Sequence, residues 1–243
     1  MKPFLLLASR AEDDVADAEY AAFLRFGGLE ERELRRVRLE AGPLPSLDLD
    51  AWSGVVVGGS PFTSTDPEQG KSSTQRRVEA ELDALVPEVV ARRVPFLGAC
   101  YGVATLGRYR GGVVDRTYAE PVGPVEVHLT DAGRGDPLLA GLPPTFTAFV
   151  GHKEACRALP TGAVLLASST TCPVQMFRVG AHAYATQFHP ELDLAGVVHR
   201  VEVYRDAGYF APHEHDAVVA RLGTMPVDQP HRILANFVER YAR

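Results

Sequence analysis

Short apolar runs alternate with stretches of helical spacing along most of this chain, and that alternation is what most restricts its fold. Phe4 to Ala8 is apolar and suits one buried strand, far short of the ~18 residues of a membrane helix. Arg10, Glu12, Asp13 and Asp14 follow at once, so a buried first strand is expected here rather than a signal peptide. Val15, Ala18, Ala22 and Phe26 then recur at helical spacing until Gly27-Gly28 stops the pattern. Leu34 to Leu39 reads as a second strand. Gly54-Val55-Val56-Val57 reads as a third, cut off by Gly58-Gly59. Ser72, Ser73 or Thr74 can cap a helix over about Gln75–Arg92, in which Pro87 predicts a kink or break. Val94 to Ala99 is a fourth strand, running straight into helix-compatible residues Tyr101 to Arg108. From about Val125 to Gln187 the pattern changes to several short strands with turns. Leu192–Asp206, Asp216–Leu222 and His231–Tyr241 are helical again. The order predicts an α/β protein with a largely parallel sheet covered on both faces. At 243 residues and 46% hydrophobic, a single domain over 1–243 is expected, with a helical C-terminal part over 192–243.

The formal net charge of -6 argues against nucleic acid or an anionic membrane as partner. Arg32, Arg35, Arg36 and Arg38 are interleaved with Glu31, Glu33 and Glu40, which reads as a solvated face. The three cysteines, Cys100, Cys156 and Cys172, are widely spaced and form no CxxC pair. That usage fits a reducing cytoplasm better than a disulfide framework. His213-Glu214-His215 has the alternation of an extended segment, lacks the i, i+4 spacing of helical zinc ligands, and is read as a solvated helix start. No metal site is expected.

Two segments carry chemistry, both within 54–193. In Pro95-Phe96-Leu97-Gly98-Ala99-Cys100-Tyr101-Gly102 an apolar strand runs into a cysteine flanked by small residues, the layout of a nucleophile elbow. The tight turn needs small neighbours such as Gly98 and Gly102, and the helix that follows is expected to favour the thiolate. The alternative is that Cys100 is a small core hydrophobe. In Tyr184-Ala185-Thr186-Gln187-Phe188-His189-Pro190-Glu191 a strand ends in a histidine, with a carboxylate two positions on. Alone this tripeptide fits a surface loop equally well. Paired with the elbow it completes a nucleophile, a base and an orienting acceptor: Cys100, His189 and Glu191.

These two segments together resemble the class I (triad) glutamine amidotransferases, most closely the glutaminase domain of GMP synthase and its stand-alone relatives. The resemblance implies a three-layer α/β/α sandwich of flavodoxin-like type with a central, mostly parallel sheet. It also implies glutamine amide hydrolysis through a γ-glutamyl thioester, with no metal or organic cofactor. Val57-Gly58-Gly59-Ser60-Pro61 resembles the family's oxyanion loop, which makes the N–H groups of Gly59 and Tyr101 the expected oxyanion donors. Phe149-Val150-Gly151-His152-Lys153 resembles the segment lining the glutamine site. By the same resemblance Gly58, Ala104, Gly151, His152 and Lys153 are expected to bind substrate, and a separate ammonia-accepting synthetase is the expected partner.

Two departures bear on the substrate. Ala104 stands where family members usually carry glutamine, and Gly151-His152-Lys153-Glu154 replaces a more usual Ser-His-Gly-Asp. Neither touches the triad. Lys153 and Glu154 either recognise a different γ-glutamyl compound or are exposed loop charges. A stand-alone γ-glutamyl peptidase is therefore the nearer rival reading, and a catalytically silent binding or regulatory subunit the more distant one.

Overall fold

The computed structural model describes residues 1–243. Its strands are β1 (Phe4–Ala8), β2 (Leu34–Arg38), β3 (Gly54–Val57), β4 (Phe96–Ala99), β5 (Val113–Asp115), β6 (Glu120–Leu129), β7 (Thr145–His152), β8 (Ala155–Ala158), β9 (Ala163–Ser168), β10 (Met176–Val179) and β11 (Ala183–Thr186). The helices are α1 (Asp13–Gly27), α2 (Ser73–Ala91), α3 (Tyr101–Gly107), α4 (Asp131–Arg134), α5 (Leu194–Val203), α6 (His215–Leu222) and α7 (His231–Tyr241). Nine strands form one sheet in the order β2-β1-β3-β4-β11-β10-β9-β6-β7, and β5 pairs with β8 in a separate ribbon. From β2 to β11 every pairing is parallel; from β11 to β7 every pairing is antiparallel. Inside the edge strand β2, the parallel strands β1, β3 and β4 are buried on both faces, which is why they read as apolar runs.

Alternating side chains of those strands supply two cores. Leu5, Leu7, Val55, Val57 and Phe96 face one way and pack with Val78, Leu82, Val86 and Val89 of α2. Phe4, Leu6, Val56 and Leu97 face the other way and pack with Phe23 of α1 and Ile233, Leu234 and Phe237 of α7. Each such side chain contributes about 1.5–3 kcal/mol by leaving water. This two-sided packing gives the expected three-layer α/β architecture. No helix is long and apolar enough to cross a membrane.

Local signals held closely. Gly28 closes α1 in the left-handed conformation, and Ser72 caps α2 by accepting from the Gln75 N–H at 3.0 Å. The expected break at Pro87 does not occur: α2 runs unbroken from Ser73 to Ala91. Proline costs one backbone hydrogen bond there, and the buried Leu82, Leu85, Val86 and Val89 hold the helix on the sheet regardless. The basic cluster is a paired surface, Arg36 with Asp17 and Arg38 with Asp13 and Glu40. His213 and Glu214 lie in a short 3-10 turn, and His215 opens α6.

The parallel strands decide where chemistry can happen. Their C-terminal ends share one edge of the sheet, the usual ligand edge of an open α/β fold. Register pairs Val57 with Gly98 and Ala99 with Thr186, so the loops after β3, β4 and β11 emerge side by side.

Candidate active site

Cys100 joins β4 to α3 with φ 52° and ψ -83°, a backbone conformation that L residues rarely adopt and that marks stored strain. Its N–H donates to the Thr186 carbonyl at 2.7 Å, tying the turn to β11. Gly98 is what lets the turn close. A Cβ there would stand 2.6 Å from the Gly102 Cα. Gly102 differs: its own Cβ direction is open, with nothing nearer than the Val57 carbonyl at 3.8 Å. Gly98→Ala is therefore expected to cost about 3 kcal/mol, the upper end for overpacking a core. Gly102→Ala should be near neutral or stabilising, as a helical alanine is favoured over glycine. Denaturant unfolding of both variants checks the pair, and equal losses would contradict the elbow geometry.

His189 lies three residues beyond β11, the strand next to β4. His189 Nδ1 is 2.8 Å from Glu191 Oε1, and the carboxylate is fully buried. Burial opposes ionisation of Glu191, yet His189 and Arg200 overcome it and hold the carboxyl well below the usual range. For His189 burial prevails over the attraction of Glu191, and its pKa lies below 6.5. The imidazole is thus neutral at pH 7, as a proton acceptor must be. Burial also pushes the Cys100 thiol up to about 12, with Arg10 pulling the other way. Desolvation thus opposes the thiolate that the α3 terminus is expected to favour. The resting pair is a neutral thiol and a neutral imidazole. No hydrogen bond joins them before substrate binds, which is common in empty sites.

This charge state predicts a pH profile. The kcat/KM for amide hydrolysis should fall only on the acid side of the ordinary histidine range, where His189, its pKa lowered by burial, acquires its proton. No alkaline limb should appear before about pH 10 while the fold holds, because the free base is the working form. A fall near pH 8.5 would instead show that an imidazolium–thiolate pair does the work.

Gly59 lies against His189 and Arg10. A Cβ there would meet His189 Cε1 at 2.7 Å and Arg10 Nη2 at 2.8 Å. Tyr101 opens α3, where the first N–H groups have no intrahelical partner. Gly58 stands back: its N–H donates to the Leu7 carbonyl at 3.0 Å, and its Cα faces the Glu19 carboxylate. Two chambers meet at Cys100. One is polar and lined in part by Ser60, Ala104, Gly151, His152, Lys153 and Gln187. Gln187 Oε1 is buried without a donor. The other is mainly apolar, and both Cys100 and His189 line it.

Lys153 and Glu154 are not exposed loop charges: Lys153 is half-buried, Glu154 is buried, and both line the polar chamber. Glu154 is buried and accepts from the Ser64 N–H, the Ser64 hydroxyl and the Thr65 N–H at 2.8–3.0 Å, so it anchors the loop after β3. Lys153 Nζ donates to the Ala207 carbonyl at 2.6 Å and sits 4.5 Å from the Tyr209 ring centroid, strapping the segment after α5 over the site. The His152 ring is also committed, to the Glu154 carbonyl at 3.0 Å and to Glu120 Oε2 at 2.8 Å.

Sequence reasoning missed a buried charge array behind the triad. Arg200 Nη1 lies 3.0 Å from Glu191 Oε1 and 3.1 Å from His189 Nδ1, while its Nη2 donates to Glu19 Oε1 at 3.0 Å. Arg10 Nε donates to the same Glu19 oxygen at 3.0 Å. The signals were present: Glu19 lies on the α1 stripe of Val15, Ala16 and Phe23, and Arg200 lies between Val197 and Val201 on α5. A charge on an apolar stripe calls for a buried partner.

A second cysteine–histidine–carboxylate group exists. Glu120, His152 and Cys172 have ligand atoms within 4.8 Å of one another, and all three are buried. The Cys172 sulfur turns to the Val174 carbonyl, burial raises its thiol to about 12, and it lines neither chamber. Cys156 is likewise buried.

A strained cysteine turn beside a carboxylate-held imidazole is the geometry of hydrolases that work through a thioester. The comparison with known proteins narrows this. The chain matches the class I glutamine amidotransferase family over residues 35–198, and it belongs to that family. It is 32% identical over 192 residues to the glutamine-hydrolyzing GMP synthase of Streptomyces avermitilis, covering 76% of this chain and 33% of that protein. It is 34% identical over 114 residues to one subunit of the glutamine-hydrolyzing GMP synthase of Thermococcus kodakarensis, covering 46% and 58%. The chain spans 26% of the Porphyromonas gingivalis GMP synthase to which it is 30% identical, so it matches only a part of such enzymes. A glutamine amidotransferase structure from Thermotoga maritima superposes with TM-score 0.76 at 20% identity, covering 99% of this chain and 98% of that one. At that identity the likeness speaks for the fold.

Proposed function

We propose that this protein hydrolyses the side-chain amide of L-glutamine, with Cys100 as nucleophile, His189 as base and Glu191 as orienting acceptor. The observation that supports this reading is the meeting of the β3, β4 and β11 ends, where Cys100 and His189 line one cavity and Gly59 lies against the His189 ring. Cys100 attacks the carbonyl as His189 takes the thiol proton. The N–H groups of Gly59 and Tyr101 receive the oxyanion, an effect of about 3–4 kcal/mol per donor in comparable sites. His189 then protonates the departing ammonia, and water cleaves the thioester to glutamate. The polar chamber holding Ala104, Gly151, His152 and Lys153 takes the amino-acid end, with Gln187 Oε1 as an open acceptor. Ammonia passes to a separate synthetase. The Thermococcus relative is itself named as one subunit of a GMP synthase, which supports a divided arrangement of this kind.

The test is glutamate and ammonia release from L-glutamine by the purified protein. Turnover that disappears on mutation of Cys100 supports the reading. Turnover that survives it, or Cys100 left unlabelled by a glutamine-mimicking chloroketone, overturns it.

A further inference from the structure

The polar chamber accounts for the γ-glutamyl end of a substrate, but the chamber on the other side of Cys100 has no task in releasing ammonia. Nine of its fourteen lining residues are hydrophobic, among them Val122, Val150, Val197, Val201 and Phe210, and its cavity volume is about 60 Å³, opening to solvent on one side. A small polar leaving group gains nothing from such a wall. An apolar side chain does, at roughly tenfold to 200-fold in kcat/KM per well-filled pocket.

One cation in this chamber is not fully spoken for. Arg10 is 4% exposed, and the only carboxylate it hydrogen-bonds is Glu19, through Nε. Its guanidinium carbon lies 5.4 Å from the Tyr204 ring centroid, and Nη2 reaches toward Gly59 beside the His189 ring. Glu19 and Glu191 are already shared with Arg200. A guanidinium whose terminal nitrogens bond no carboxylate suits planar, two-point contact with one.

We propose that this chamber binds the amine half of a second substrate class: γ-glutamyl dipeptides whose C-terminal residue has an apolar side chain and whose carboxylate faces Arg10. The inference rests on Cys100 being the nucleophile. In the reaction the Cys100 Sγ–carbonyl bond forms and the peptide C–N bond breaks, with the thiol proton passing through His189 to the departing amine. Water then displaces the sulfur, giving glutamate and returning a proton to the thiol. No oxidant, reductant or cofactor enters.

The experiment compares kcat/KM of the wild-type protein for four substrates: γ-glutamyl-leucine, γ-glutamyl-glycine, γ-glutamyl-isoamylamide and L-glutamine. The leucine dipeptide is expected to exceed the glycine dipeptide by at least about tenfold, reporting the apolar wall. It should exceed the isoamylamide, which keeps the shape and lacks the carboxylate, by about tenfold or more, reporting a charged hydrogen bond. In Arg10→Gln the second ratio should collapse toward one while the first persists. A purely structural role for Arg10 would lower all rates and leave both ratios intact. Should that variant fail to fold, the wild-type ratios decide. Glutamine turned over with no preference for the leucine dipeptide overturns the proposal and leaves the Cys100 reading standing. No turnover of any of the four, with Cys100 unlabelled by the chloroketone, overturns both.

Discussion

Cys100→Ala is expected to lower glutamine hydrolysis by about 10⁴-fold or more, the scale seen when a triad loses its nucleophile, while Cys172→Ala should leave kcat/KM nearly unchanged. The contrast matters because the protein holds two cysteine–histidine–carboxylate groups. Both thiols are pushed up to about 12 by burial, so acidity does not separate them; geometry does. Cys100 is half-buried at the junction of two chambers on a strained turn. Cys172 is wholly buried, and its histidine spends both ring nitrogens on Glu120 and the Glu154 carbonyl. Steady-state kinetics on the two variants, beside their thermal melts, would expose a wrong assignment if Cys172→Ala were the inactive one.

Glu19→Gln should be the most destabilising single change outside the elbow. Glu19 is 2% exposed and one of its oxygens accepts from both Arg10 and Arg200. Removing its charge leaves two guanidinium groups facing each other in a dry interior, for which a loss of about 3–5 kcal/mol is expected. That corresponds to a fall in Tm of about 10 °C for a chain of this size. Arg200 would also lose its second anchor, so Glu191 and His189 would be held less firmly and kcat should drop. Calorimetry of Glu19→Gln beside a triple variant, Arg10→Met, Glu19→Leu and Arg200→Met, separates the two roles. The triple variant should recover much of the stability, as apolar replacement of a buried ion group often does, without recovering activity. Full activity in it would show that the array serves folding alone.

What the sequence made legible was local or edge-defined. The apolar runs of β1 and β3, the glycine stop of α1 and the serine cap of α2 each follow from a few neighbouring residues. Cys100 and His189 could be read because each follows a strand end, Cys100 directly after β4 and His189 three residues after β11. The array of Arg10, Glu19 and Arg200 could not be assembled that way. Its members are 9 and 181 positions apart along the chain, and each alone looks like an ordinary helix or loop charge. Only the packing of α1 against α5 brings them together. Lys153 and Glu154 escape a local reading for a related reason: their partners, Ala207 and Ser64, lie far away in sequence.

The strand order carries a consequence for how the protein is made. Cys100 follows β4, but the strand that delivers the base, β11, lies between β4 and β10 and is the last of the eleven to leave the ribosome. Until residues near Glu191 have emerged and that slot is filled, the thiol has no histidine beside it. Pairings this distant in the chain form slowly, and domains settle as whole units during synthesis. If Cys100 and His189 act as proposed, a chain whose β11 slot is still empty is inert toward amides however much of its sheet has formed, and hydrolytic power arrives in one step.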